Sequence, residues 1–163
     1  MLVGRDGELE WLEAELARPD RVAGAYVHGP AGIGKTALLR AAGARAAAAF
    51  GYELVWIDGR DIAPVPDQLE DAIGSPGEAG RPLVVIDSFE HVEALGGYLR
   101  RVLVPALPPG GAVLIASRRA PGPEWAAREE ARFRPLALAP LDRVASTEVL
   151  RRHGLGADAA ERA

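Results

Sequence analysis

"HGPAGIGKTALL", residues 28–39, carries the complete spacing G-x-x-x-x-G-K-T from Gly29 to Thr36. The apolar run "RVAGAYVHG" (21–29) leads into it and the alanine-rich run "KTALLRAAGARAAAAF" (35–50) leads out. A strand, a glycine loop and a helix in that order wrap backbone N–H groups around phosphate oxygens, because glycine permits the close approach and unusual dihedrals that the loop needs. A helix opening at Lys35 aims the positive end of its dipole at the same anion. On this reading Gly29, Pro30, Ala31, Gly32, Ile33, Gly34, Lys35, Thr36 and Ala37 bind a nucleotide, with Lys35 at the β- and γ-phosphates and the Thr36 hydroxyl on Mg²⁺. The competing reading is a glycine-rich turn produced by composition alone. One detail weighs against it: Lys35 is the only lysine among 19 basic Lys and Arg residues. A compact ammonium enters a tight backbone loop where a planar guanidinium does not.

Outward from the loop, strand-like and helix-like runs alternate. "GELEWLEAELA" (7–17) spaces Leu9, Leu12 and Leu16 as a helix, with Asp6 as its expected cap. "YELVWID" (52–58), "LVVID" (83–87) and "AVLIAS" (112–117) read as strands, and "RFRPLAL" (132–138) as a weaker one. Helices are expected near 67–73, near 91–104 with interruptions at Gly96 and Gly97, and at 142–154, capped by Asp142 and ended by Gly154. "GSPGEAGRP" (74–82) is a loop. Continuous apolar runs such as "LVVID" belong to strands buried on both faces. The alternation therefore predicts an α/β fold, a parallel sheet sandwiched between helical layers. No repeat or second core divides the chain, so residues 1–163 are read as one domain.

A phosphate loop needs a carboxylate at the end of a neighbouring strand to hold magnesium. Asp87 closes "LVVID" at the carboxyl edge, where such sheets bind ligands; its other reading is a cap for the next helix. Hydrolysis also needs a group to orient water. Ser88 follows Asp87 where many ATPases of this kind carry an acid, which leaves Glu90 as the nearest alternative. A first-turn Glu favoured by the helix dipole explains Glu90 equally well. "AVLIASRR" brings Ser117, Arg118 and Arg119 to another strand end, and Arg118 is either a sensor of the γ-phosphate or half of a solvated arginine pair.

Composition narrows the partners. Apolar residues make up 48% and charged residues 26%, the balance of a folded globular domain. A net charge of −4 without a basic stripe gives no electrostatic case for nucleic acid. The absence of cysteine excludes disulfides and thiolate metal sites and is compatible with a reducing cytoplasm, the expected location. The start "MLVGRDGELE" lacks a signal-peptide pattern, and no apolar run is long enough for a bilayer. His28, His91 and His153 lack metal-ligand spacing. Abundant Ala, Arg, Gly and Pro with no asparagine is the bias of a GC-rich bacterial genome.

Taken together these stretches resemble the STAND branch of AAA-like ATPases, related to NB-ARC and ORC-like modules, and in particular the ATPase modules of large bacterial regulators of the LuxR and AfsR types. "LVGRDGELEWLEAEL" is similar to that group's V-G-R-x-x-E-L opening, which implies Val3, Gly4 and Arg5 against adenine and ribose. "LVVIDSFEHV" resembles its magnesium strand, with Ser88 in place of the usual Asn, and "VLIASRRAPG" its sensor segment. "PLALAPLDRVASTEVL" resembles the exit from the nucleotide domain. The resemblance implies ATP or ADP with Mg²⁺, a five-stranded sheet in the order 5-1-4-3-2, partner domains or proteins, and a nucleotide-dependent oligomer. It also implies a helical lid and a winged helix, which are not expected within residues 1–163, either because this is an excised domain or because it is a natural short form.

Three functions follow. The first is a slow, Mg-dependent ATPase switch of a signalling or transcription-regulatory protein, with Lys35, Glu90 and Arg118 as catalytic groups and Thr36 and Asp87 on the metal. The second is an interaction platform gated by ATP or ADP with negligible turnover. The third, a small-molecule kinase, needs an Arg-rich lid and an acceptor pocket that the sequence does not display.

Overall fold

The strand Arg81–Asp87 (β3) explains why the sheet is covered twice. Leu83 and Val85 point to one hydrophobic layer, and Val84 and Ile86 to the other. All four are wholly buried. Each side chain so buried stabilises the fold by about 1.5–3 kcal/mol. The strand Ala112–Ser117 (β4) repeats the pattern, with Leu114 and Ala116 on the first face and Val113 and Ile115 on the second.

The computed structural model describes residues 2–18, 23–74, 80–125, 133–152 and 154. The other strands are Ala23–His28 (β1), Tyr52–Asp58 (β2) and Phe133–Ala137 (β5). All pairings are parallel and the order is β2-β3-β4-β1-β5, the predicted 5-1-4-3-2 read from the other edge. Pro135 is tolerated in β5 because an edge strand has ladder positions without a partner. Within the segments read from sequence, residues 21–22, 75–79, 132 and 153 lie outside the described set.

Helices α1 (Asp6–Leu16) and α2 (Lys35–Phe50) cover the first face. Leu9, Leu12 and Leu16 of α1 meet Leu38, Leu39, Ala42 and Ala46 of α2 over β1, β3 and β4. Helix α3 (Pro66–Ile73) and the helical segment 96–106 cover the second face through Leu69, Leu99, Leu103 and Val104. A last helix, Arg143–Arg152, starts with Asp142 accepting the Ala145 N–H at 2.7 Å, the expected cap.

Two local expectations need correction. Asp6 is the first residue of α1 and not its cap; Arg5 precedes the helix, and no side chain caps it. Gly96 and Gly97 do not interrupt a helix running from residue 91. The chain after β3 makes two 3₁₀ turns, Phe89–His91 and Glu93–Leu95, and the glycines begin the helical segment that follows. A Cβ on Gly96 would sit 3.0 Å from the Trp125 ring, so this glycine admits an aromatic neighbour. The irregular part lies further on: a π-helical turn, Leu99–Leu103, just before Pro105, whose missing N–H and ring disrupt the α ladder.

Candidate functional site

Strand parity carries Asp87 to the phosphate loop. Residues 83, 85 and 87 share the face covered by α2, so the carboxylate at the end of β3 meets the first turn of that helix. The Thr36 hydroxyl donates to Asp87 Oδ2 at 2.6 Å, and the Ser88 N–H to Asp87 Oδ1 at 2.8 Å. Asp87 is 5% exposed. Segments 51 residues apart in sequence thus place two hard oxygen donors side by side, the donor set that Mg²⁺ takes when phosphate and water supply its remaining ligands. Among the described residues no cluster of three or more His, Asp or Glu could hold a metal by protein alone.

The loop itself has the backbone its glycines were read to allow. Gly32 and Gly34 have φ of 75° and 100°, and Gly34 occupies the cap position of α2. The Lys35 ammonium curls back into the loop and donates to the carbonyls of Gly29 at 2.8 Å and Pro30 at 2.9 Å. Burial lowers its pKa, while the Glu90 and Asp87 carboxylates act in the opposite direction. An anion seated in the loop would relieve that cost.

Glu90 and Arg118 meet. The Glu90 carboxylate accepts the Arg118 backbone N–H at 3.1 Å and lies 3.0 Å from its Nε. Glu90 is presented by a 3₁₀ turn whose first residue is fixed from below. Phe89 is fully buried and makes edge contacts with Tyr26 and Trp125, at ring separations of 6.0 and 5.5 Å. Ser88 at the start of this turn is the only non-glycine among the described residues with positive φ, 53°. Left-handed backbone favours Asn or Gly over Ser. Ser88→Asn is therefore expected to raise the unfolding free energy by about 0.5–1 kcal/mol, measured by urea denaturation without nucleotide.

Two cavities flank α2. The smaller, about 240 Å³, is lined by Lys35, Thr36, Asp87, Glu90 and Arg118 together with Ala31 and Gly32 of the loop. The larger, about 860 Å³, is lined by Val3, Gly4, Ala37 and Ala41, with Arg152 contributed by the last helix. Arg40 lines both.

Arg5 does not line either cavity; it is 4% exposed and its guanidinium is turned onto the protein. Its guanidinium bonds the Ile33 carbonyl at 3.0 Å, the Ala139 carbonyl at 2.7 Å and Glu8 at 2.7 Å. Arg5 therefore pins the N-terminal segment and the chain after β5 to the phosphate loop through Ile33. His28, at the end of β1, has its pKa lowered by burial, and its carbonyl accepts the Leu138 N–H at 2.8 Å.

Sequence reasoning missed Asp58 and Arg60, which also line the smaller cavity. Arg60 grips Asp58 through Nε at 2.9 Å and Nη2 at 2.5 Å, and this pairing holds the Asp58 carboxyl down at about 2. A signal was present: "YELVWID" ends in an acid as "LVVID" does, and the expected strand order sets the two side by side.

A parallel sheet in this order, with a glycine loop between β1 and α2 at its carboxyl edge, defines a P-loop α/β sandwich built to bind nucleotide. The chain belongs to the AAA ATPase domain family, whose model matches residues 1–154. Among solved structures it is similar to the Orc1 protein of Aeropyrum pernix, solved in complex with DNA, at a TM-score of 0.65 and 16% identity. That match covers 94% of this chain and 50% of the Orc1 chain, and at such identity it establishes the shared fold. No curated protein matches the sequence.

Proposed function

We propose that this chain is the ATP-binding, slowly hydrolysing switch domain of a bacterial STAND-type signalling or transcription-regulatory protein, working in the cytoplasm and passing its nucleotide state to neighbouring domains or proteins. The observation that carries the reading is the 2.6 Å contact of Thr36 with Asp87 beside Lys35, in a cavity that also holds Glu90 and Arg118. On this reading each residue has a task. Val3, Gly4 and Ala37 border the space for adenine and ribose, and the loop amides of residues 29–34 and Lys35 bind phosphate. Thr36 and Asp87 would hold Mg²⁺, which would neutralise phosphate charge there. Glu90 orients water, and Arg118 stabilises charge on the terminal phosphate. The net charge of −4 supports protein partners over nucleic acid for this domain. Among the described residues no helix is long and apolar enough to cross a membrane.

A second reading has its own support. Ser88 leaves no acid adjacent to Asp87, and the Glu90 carboxylate is engaged by Arg118 on both the backbone N–H and the guanidinium. A site arranged so could bind ATP or ADP and scarcely turn over, as a nucleotide-gated platform. The two readings part on ATP turnover in wild type and Glu90→Gln, with nucleotide affinity measured alongside. The switch reading expects slow but measurable hydrolysis that falls roughly 10²- to 10⁴-fold in the variant while binding is retained. Equal, near-zero turnover in both proteins, with tight binding kept, selects the platform.

A further inference from the structure

The exit of β2 is built as closely against the magnesium carboxylate as the phosphate loop is. Asp58 is the register partner of Asp87 across the β2–β3 pair. Ile57 faces the second hydrophobic layer and Trp56 the first, so Asp58 shares the α2 side with Asp87. The next residue locks the approach: the Gly59 N–H donates to the Asp87 carbonyl at 2.8 Å. A Cβ on Gly59 would stand 2.7 Å from the Ser88 carbonyl oxygen and 3.2 Å from that of Asp87, so only glycine brings the two strand ends this close. Arg60 follows, its backbone N–H donating to Asp58 Oδ1 at 3.0 Å and its guanidinium gripped side-on by the same carboxylate. That grip uses Nε and Nη2 and leaves Nη1 for a further acceptor in the cavity wall.

The charges around that wall say which ligand the arm suits. Four cations, Lys35, Arg40, Arg60 and Arg118, meet three carboxylates, Asp58, Asp87 and Glu90. Glu90 holds Arg118 from the β4 side and Asp58 holds Arg60 from the β2 side, with Asp87 on the strand between them. Two arginines thus flank the metal carboxylate, each aimed by an acid of its own. A planar guanidinium fixed by a carboxylate on one edge presents its other edge to phosphate oxygens without further loss of rotamer freedom.

We propose that Arg60, positioned by Asp58, is a phosphate-binding residue that contacts the terminal phosphate of the bound nucleoside triphosphate from the β2 side and sets the preference for ATP over ADP. This rests on the nucleotide-binding reading of the same cavity. The loop and Lys35 take the phosphates from the β1–α2 side, with Lys35 at the β- and γ-phosphates; Arg60 stands with Asp87, Glu90 and Arg118, the groups assigned to the metal and the terminal phosphate, and adds a contact from the β2 side.

The test uses the whole chain with Mg²⁺, titrating β,γ-imido-ATP and ADP separately by calorimetry. Arg60→Ala is expected to weaken the triphosphate analogue about tenfold or more and ADP by no more than about twofold. Asp58→Ala should move the ratio in the same direction, because it releases the guanidinium, and Arg60→Lys should keep part of the preference through its charge. Arg60 is a solvent-facing side chain at 64% exposure, so an unchanged melting temperature without nucleotide is the folding control. Equal losses for the two nucleotides, or none for either, would overturn the role of Arg60 while leaving nucleotide binding in place. Wild-type protein that binds neither ligand would instead sink the underlying reading of the cavity.

Discussion

Lys35→Ala is expected to abolish useful adenine-nucleotide binding, with affinity for Mg-ATP falling at least roughly 100-fold, about 2.7 kcal/mol. The buried ammonium is held by two loop carbonyls and, among the described residues, has no acidic hydrogen-bond partner of its own; Glu90 and Asp87 act on it through their charge. Its lowered pKa means that the charged form is less favourable in the folded protein than in the unfolded chain. The sign matters here: a lysine pKa below its unfolded value costs stability at neutral pH, and the cost disappears only as pH rises above the unfolded pKa. Loss of this side chain should therefore spare the nucleotide-free fold while removing the ligand. Calorimetry and thermal melting check both halves. Wild type at 100 times its Kd should gain about 2.7 kcal/mol, a rise of roughly 5–10 °C for a domain of this size. The variant should melt at the same temperature with and without Mg-ATP. Lys35→Arg should not restore binding, because a planar fork does not fit where a point charge is wrapped by backbone.

Asp87→Asn should separate the metal from the nucleotide. The amide keeps the shape of the carboxylate beside Thr36 and removes its charge. In wild type, magnesium is expected to tighten ATP binding, and in the variant that enhancement should fall by roughly 10- to 100-fold. Without magnesium the sign reverses. A carboxylate in the smaller cavity repels phosphate, so the variant should bind metal-free ATP at least as well as wild type. Titrations with EDTA and with magnesium, side by side, measure both effects. A variant still responding fully to magnesium would remove Asp87 from the metal.

Much of the layout could be read before any coordinates, because its signals are local. The runs "LVVID" and "AVLIAS" announce strands with two buried faces through continuous apolar composition, and the G-x-x-x-x-G-K-T spacing announces a turn whose dihedrals only glycine supplies. Asp142 announces its helix by cap chemistry. Where a signal depended on a distant partner, the local reading failed. Gly96 and Gly97 looked like helix breakers; they begin a helical segment, and at Gly96 Trp125 supplies the reason for a missing side chain. No local signal announced the partners of Arg5, whose guanidinium bonds the carbonyls of Ile33 and Ala139, 28 and 134 residues away.

The sequence by itself determined the fold class, the glycine loop between β1 and α2 and the acid that closes β3, since periodicity, glycine content and strand ends are properties of neighbouring residues. Only the tertiary structure decided how the charges are shared: Glu90 with Arg118, Asp58 with Arg60, and Gly59 bringing two strand ends into contact. The physical reason is that an ion pair has no fixed spacing along the chain. It forms where strand order and register bring two side chains to one edge, and that order is set by burying both faces of the sheet at once.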